Sequence, residues 1–194
     1  MKSFIAFASF ALALALFLPL SSAVPDQNLN LDLFPFNLWA ISPRSLTPEI
    51  HGTLQIAGDA VVVGPAKDGR DFIAYIQPLP KGEMRIQGDD DGRFFLDPVS
   101  NHPLAGYQTL KFGRSASAQR SNSRSFSATS AGCGPHCGGP QVTPDITTGA
   151  QGNWFAYPLD GASGKNGYSI HWVPGDSFPE GHSLIYLMRD PPPR

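Results

Sequence analysis

The 20 glycines and 19 prolines of this 194-residue chain fall between short apolar runs instead of inside long ones, and that placement constrains the fold more than any other feature. Glycine supplies backbone conformations that reverse a chain, and proline removes an amide donor, so a chain punctuated this often cannot sustain long helices. The intervening runs read as strands: 36–41, 52–57, 60–63, 71–77, 83–87, 93–96, 107–112, 153–158, 168–173 and 183–188. Several alternate with period two. Leu54 and Ile56 face one way with Thr53 and Gln55 opposite, and Met84 and Ile86 oppose Glu83, Arg85 and Gln87, as a half-buried antiparallel strand requires. Ala57-Gly58-Asp59, Lys67-Asp68-Gly69-Arg70, Asp91-Gly92 and Gly164-Lys165-Asn166-Gly167 carry the positive-φ residues that hairpin turns demand. No stretch holds an apolar period of 3.6 over three turns. The pattern predicts an all-β protein, a single antiparallel β-sandwich or closed β-barrel, with a β-trefoil-like arrangement as the alternative. No internal repeat is visible in the residues themselves.

The first 23 residues carry one charge, Lys2, then an apolar run from Phe4 to Leu20, the small residues Ser21-Ser22-Ala23, and Val24-Pro25. This is the pattern of an export signal cleaved after Ala23; the apolar run is at the short end for a membrane span. The sequence therefore predicts a secreted protein, extracellular or in a cell wall, with no membrane contact in its mature form. The leader holds Lys2 and no acid, so the 14 basic and 16 acidic residues of the whole chain become 13 and 16, a net charge of 13 − 16 = −3. Apart from a sparse trio, Arg114, Arg120 and Arg124, the basic residues are scattered, which excludes a nucleic-acid partner. Residues 24–194 suffice for one domain.

Cys133 and Cys137 are the only cysteines, and in an oxidising compartment a disulfide between them is the expectation. It closes a very small loop, so it restrains a turn and adds little to overall stability. Cys133-Gly134-Pro135-His136-Cys137 has one residue too many for the Cys-Gly-Pro-Cys redox motif, and a zinc site using His136 lacks a fourth ligand. The pair sits within 113–152, which is rich first in Ser and Thr, then in Gly and Pro, and reads as a flexible insertion in the domain, disordered around 114–131. Its Ser/Thr density suits O-linked sugar; no Asn-x-Ser/Thr acceptor occurs in the chain.

Complete catalytic patterns are missing from the sequence. Asp89-Asp90-Asp91-Gly92 has the composition of a calcium loop without its alternating ligands, and reads as a solvated acidic turn. Among the histidines at 51, 102, 136, 171 and 182, the nearest pairings are Glu49 with His51 and His171 with His182, neither at a diagnostic spacing. Gly161-Ala162-Ser163-Gly164 is one residue short of a hydrolase elbow, and Gly175-Asp176-Ser177 resembles a lipase block but continues with Phe178. No catalytic residue, metal ligand or cofactor is expected. Trp39, Trp154 and Trp172 are the candidates for stacking on a ligand such as a sugar, although burial in the core is the stronger expectation for most of the aromatics.

Phe36-Asn37-Leu38-Trp39-Ala40-Ile41, leading through Ser45 to Ile50-His51-Gly52 and Leu54-Gln55-Ile56-Ala57-Gly58, together with Gly92-Arg93-Phe94-Phe95-Leu96, resembles small exported fungal proteins of the phialide-type cell-wall and IgE-binding family. The likeness covers residues 34–112 and implies a β-rich exterior protein without catalytic residues. The resulting expectation is a secreted, non-enzymatic fungal cell-wall or extracellular protein of structural or interaction type, with a carbohydrate-binding or host-interaction module second and a secreted hydrolase third. Its partners would be cell-wall polysaccharide or a host surface.

Overall fold

The computed structural model of the protein describes residues 35–43, 46, 48–78, 82–89, 91–114, 125–129, 140–145 and 151–189. The leader, both cysteines with His136, and most of the Ser/Gly-rich segment lie outside the described residues, as do the expectations that rest on them. Among the described residues there are thirteen strands and no helix: β1 Leu38–Ile41, β2 His51–Ala57, β3 Ala60–Val63, β4 Arg70–Asp71, β5 Ala74–Ile76, β6 Met84–Ile86, β7 Gly92–Pro98, β8 Gln108–Arg114, β9 Phe126–Thr129, β10 Gln141–Pro144, β11 Gly152–Pro158, β12 Tyr168–Pro174 and β13 Ser183–Arg189. None of them forms a helix long and apolar enough to cross a membrane.

The pairings close a ring. β1 pairs with β13 (Leu38 with Arg189, Ala40 with Leu187), β5 with β6, and β9 with β10, all antiparallel. Single bridges complete the circuit: Phe36 with Ala74 ties β1 to β5, Glu83 with Ser125 ties β6 to β9, and Gln141 with Met188 ties β10 to β13. The result is a six-stranded barrel, β1-β5-β6-β9-β10-β13, each strand of which meets a neighbour on both sides.

Three hairpins cover one end of it: β2–β3, β7–β8 and β11–β12. Their second strands meet in a triangle with one repeated register. Ala60 faces Lys111, Thr109 faces His171, and Ser169 faces Val62. In each case the residue just before an inward pair sets against the residue in the middle of the next hairpin's inward pair. A barrel of six strands capped by three such hairpins is a β-trefoil arrangement, the alternative within the predicted all-β class. The chain thus contains three four-strand units, β1-β2-β3-β5, β6 to β9 and β10 to β13, with β4 as an accessory strand on β2. The repeat that the residues do not display is present in the backbone.

What repeats is where the apolar residues point. The hairpin strands bury Leu54 and Ile56, Phe94 and Leu96, and Trp154 and Ala156 from their first arms, and Val61 and Val63, Leu110 and Phe112, and Ile170 and Trp172 from their second. The barrel adds Leu38, Ala40, Ala74, Ile76, Met84, Phe126, Val142, Ile185 and Leu187 to the same core. Burying side chains of this size contributes about 1.5–3 kcal/mol each before ordering entropy is set against it.

Two strands lie where the sequence predicts a flexible insertion. β9 and β10 belong to 113–152, and Phe126 is fully buried in the core. Ser127 and Thr129 alternate with it, so one bulky residue anchors a strand whose neighbours are small. The turn glycines also differ in part from expectation. Gly58 has φ 66° in the two-residue connection of β2–β3, as predicted. Gly92 does not turn the chain; it lies in β7, where a Cβ would run into the Phe112 ring, and the positive φ sits at Gly88.

Candidate functional site

The outward face of the third hairpin carries a second, smaller cluster. Strand alternation turns Trp154, Ala156, Ile170 and Trp172 to the main core, so Phe155, Tyr157, Ser169, His171 and Val173 point away from it. Loops 98–107 and 175–182 fold over this face, bringing Tyr107, Leu104 and His182, and Leu184 of β13 joins them.

Its centre is His171, 7 % exposed. The Ser169 hydroxyl donates to the Tyr157 carbonyl at 3.2 Å, which leaves its oxygen to accept from Nε2–H of His171 at 2.7 Å. Nδ1 of the same ring then accepts from the Thr109 hydroxyl at 3.1 Å. His182 is held the other way round. Its Nδ1 donates to the Glu180 carbonyl at 2.9 Å, so Nε2 accepts from the Tyr107 phenol at 2.6 Å. Tyr107 lies between the rings, stacked on His102 at 3.7 Å and on His171 at 4.9 Å, while the His171 and His182 centroids are 5.6 Å apart.

The environment favours the neutral form of each group. Burial pushes His171 down to about 3, with His182 and His102 adding repulsion. Burial also lowers His182, against the opposing hydrogen bond that its Nδ1 donates to the Glu180 carbonyl. The Tyr107 phenol is raised by burial and by Tyr157 beside it, so it keeps the proton that it donates.

This arrangement gathers imidazoles, hydroxyls and a phenol. No group of three or more His, Cys, Asp and Glu among the described residues has the geometry to hold a metal ion. The position opposite the Ser169–His171 pair, where a hydrolase would hold a carboxylate, is taken by Thr109.

The other residues singled out by sequence are dispersed. Trp154 and Trp172 are buried at 1 % and 3 %, packed edge to face at 5.1 Å, and Trp154 Nε1 donates to the Val142 carbonyl at 2.8 Å. Neither can stack on a ligand, because both faces are occupied by the core. Trp39 is placed differently. It stands partly exposed on the outer wall of the barrel beside His51, at 5.4 Å, and between Thr53 and Met188 of the flanking strands. Ile41, Tyr186 and His51 continue that wall by register. Glu49 is exposed just before β2. Ser163 is bound to the Asp160 carboxylate, which also accepts from the backbone amides of Ala162, Ser163 and Gly164 and is held below the usual carboxylate range, the Ser163 hydroxyl first among the causes. Ser177 lies exposed in the loop before β13. Asp89 accepts from the amides of Asp91 and Gly92, closing its own turn. Among the described residues the fold thus brings His171 and His182 together, and Tyr107 and His102 join them from far along the chain.

No family model matches this chain, and no curated protein matches it. Solved structures do. The chain is similar to the nicked form of CARDS toxin, with TM-score 0.58 and 11% identity over 81% of this chain and 26% of that one. It is similar also to full-length CARDS toxin, at 0.57 and 11% over 82% and 27%. The likeness carries the fold alone, and this chain spans about a quarter of the length of those proteins.

Proposed function

We propose that the protein is an exported, non-enzymatic interaction protein of a fungal cell wall or its surroundings, and that its contact surface is the barrel wall around Trp39. The observation that supports this reading is the grouping of Trp39, Ile41, His51 and Tyr186 on the outward side of β1, β2 and β13, where a flat indole face is presented on rigid strands. The apolar leader and the likeness to exported fungal wall proteins supply the compartment. Carbohydrate is the second reading for the ligand, favoured by the same indole, since sugar rings stack on tryptophan through their C–H faces. The Trp39 Nε1 atom is covered and without a partner among the described residues, so the ring contributes a face and not a donor. Host surfaces are a further partner of the same kind.

The test is a pull-down of the mature chain, starting at Val24, on insoluble β-glucan and chitin, with Trp39→Ala beside it. Retention that drops several-fold in the variant supports the carbohydrate reading. Equal retention of both removes Trp39 from the interface. An intact leader recovered in the membrane fraction overturns the export reading.

A further inference from the structure

The cluster on the third hairpin couples two loops to the protonation of two imidazoles, His171 and His182. Loop 98–107 is held by Tyr107, whose ring is sandwiched between His102 and His171 and whose hydroxyl bonds His182. Loop 175–182 is held by His182, packed against Tyr157 at 4.5 Å, and by Phe178, whose ring meets Phe155 edge-on at 5.3 Å. His171 and His182 each also accept one hydrogen bond through a ring-nitrogen lone pair, from Thr109 and from Tyr107, and these two bonds require the neutral ring.

We propose that this cluster is an acid-sensitive latch, in which loops 98–107 and 175–182 are closed over the third hairpin through neutral His171 and His182 and are released when these two rings take up protons.

Among the described residues the surroundings offer an added charge hydroxyl oxygens but no carboxylate. His171 faces Ser169 on its own strand, Thr109 on β8, Tyr107 and His102 from the first loop, Tyr157 on β11 and His182 from the second. The nearby acids are turned to other work. Asp97 on β7 pairs with Lys111 at 3.3 Å, Asp160 is tied into its own turn, Asp176 and Glu180 belong to exposed positions, and Glu180 meets His182 through its carbonyl. Protonating Nε2 of His182 removes the acceptor for the Tyr107 hydroxyl. Protonating Nδ1 of His171 does the same to Thr109. A second charge then sits 5.6 Å from the first, centroid to centroid.

The sign follows from the direction of the shifts. The closed state holds His171 and His182 below their ordinary value, so the open state binds protons more readily. Closure is complete above the ordinary imidazole value of about 6.5 and weakens as pH falls below it, by up to about tenfold per pH unit for each ring that titrates only when open.

Hydrogen exchange on the full mature chain, corrected for intrinsic rates, reads this directly. The loop amides of Val99, His102, Tyr107 and His182 all donate to carbonyls within these loops and serve as reporters, with the β1–β13 amides as reference. Between pH 7 and pH 5 the reporters should lose at least tenfold in protection while the barrel amides hold. The double variant His171→Gln with His182→Gln should flatten that response at least threefold. Loop protection that does not change with pH, loss in step with the barrel, or a double variant as steep as the parent each overturns the latch.

Discussion

Lys111 and His171 occupy the same place in two of the three hairpins. Each is the middle residue of an inward pair on the second arm, between Leu110 and Phe112 in one case and Ile170 and Trp172 in the other, and each faces the corresponding residue of the preceding hairpin, Ala60 or Thr109. Their chemistry has diverged in opposite directions. Lys111 stands partly exposed between two carboxylates, Asp59 at 3.1 Å and Asp97 at 3.3 Å, and its pKa is raised, by the Asp59 hydrogen bond first, against burial, with Asp97 adding to the rise. His171 lies under two loops without a carboxylate and is lowered. Backbone position therefore does not determine the charge of a site; the length and content of the connections that cover it do. Between β7 and β8 and between β12 and β13 the connections carry aromatic rings and imidazoles, and these roof the third hairpin only.

The comparison can be broken most sharply by exchange. His171→Lys buries an ammonium with no acid to meet it, and should destabilise by about 3–5 kcal/mol in urea unfolding at pH 7, or prevent folding. Loss of less than about 1 kcal/mol would mean that the roof opens at little cost. Next in size is pH. Parent stability should be flat above about pH 6.5 and fall below it, by up to about 1.4 kcal/mol per unit for His171 alone, with the loss levelling off near its folded value of about 3. In His171→Gln that slope should shrink; an unchanged slope assigns the acid sensitivity to other groups. Tyr107→Phe removes one hydrogen bond to His182 while keeping both stacks, and should cost about 1 kcal/mol in the same assay. Smallest is Lys111→Met, at under about 1 kcal/mol and smaller still in high salt, because the pair is solvated and Asp59 is 68% exposed. A large, salt-independent loss there would show that the second hairpin is as dry as the third.

Several strands were legible because two-residue alternation survives in them, as in Leu54 with Ile56 and Met84 with Ile86, and others because a short apolar run stands between turn residues. The threefold repeat was not, because equivalent positions share only being buried. Trp154, Phe94 and Leu54 fill corresponding sites with different volumes, and long connections between β8 and β11 shift the spacing of the third unit. β9 escaped notice for a related reason: Ser-Ala-Thr around Phe126 reads as a polar segment until the barrel supplies the other wall. Of the candidate site, His171 with His182 could be paired by proximity in sequence, but Tyr107 and His102 belong to another unit and no spacing rule connects them. Trp154 and Trp172 illustrate the converse, since a tryptophan on an alternating strand has even odds of facing inward until its register is known.

The β1–β13 ladder places Leu38 opposite Arg189, so the first and last described strands lie side by side. In a closed ring of this kind the point at which synthesis starts is arbitrary. A permuted gene that joins these two strands by a short linker and opens the chain at the Gly58-Asp59 connection would ask the same three units to assemble in a different order of appearance, and the module could be carried inside another protein's loop as readily as at its terminus.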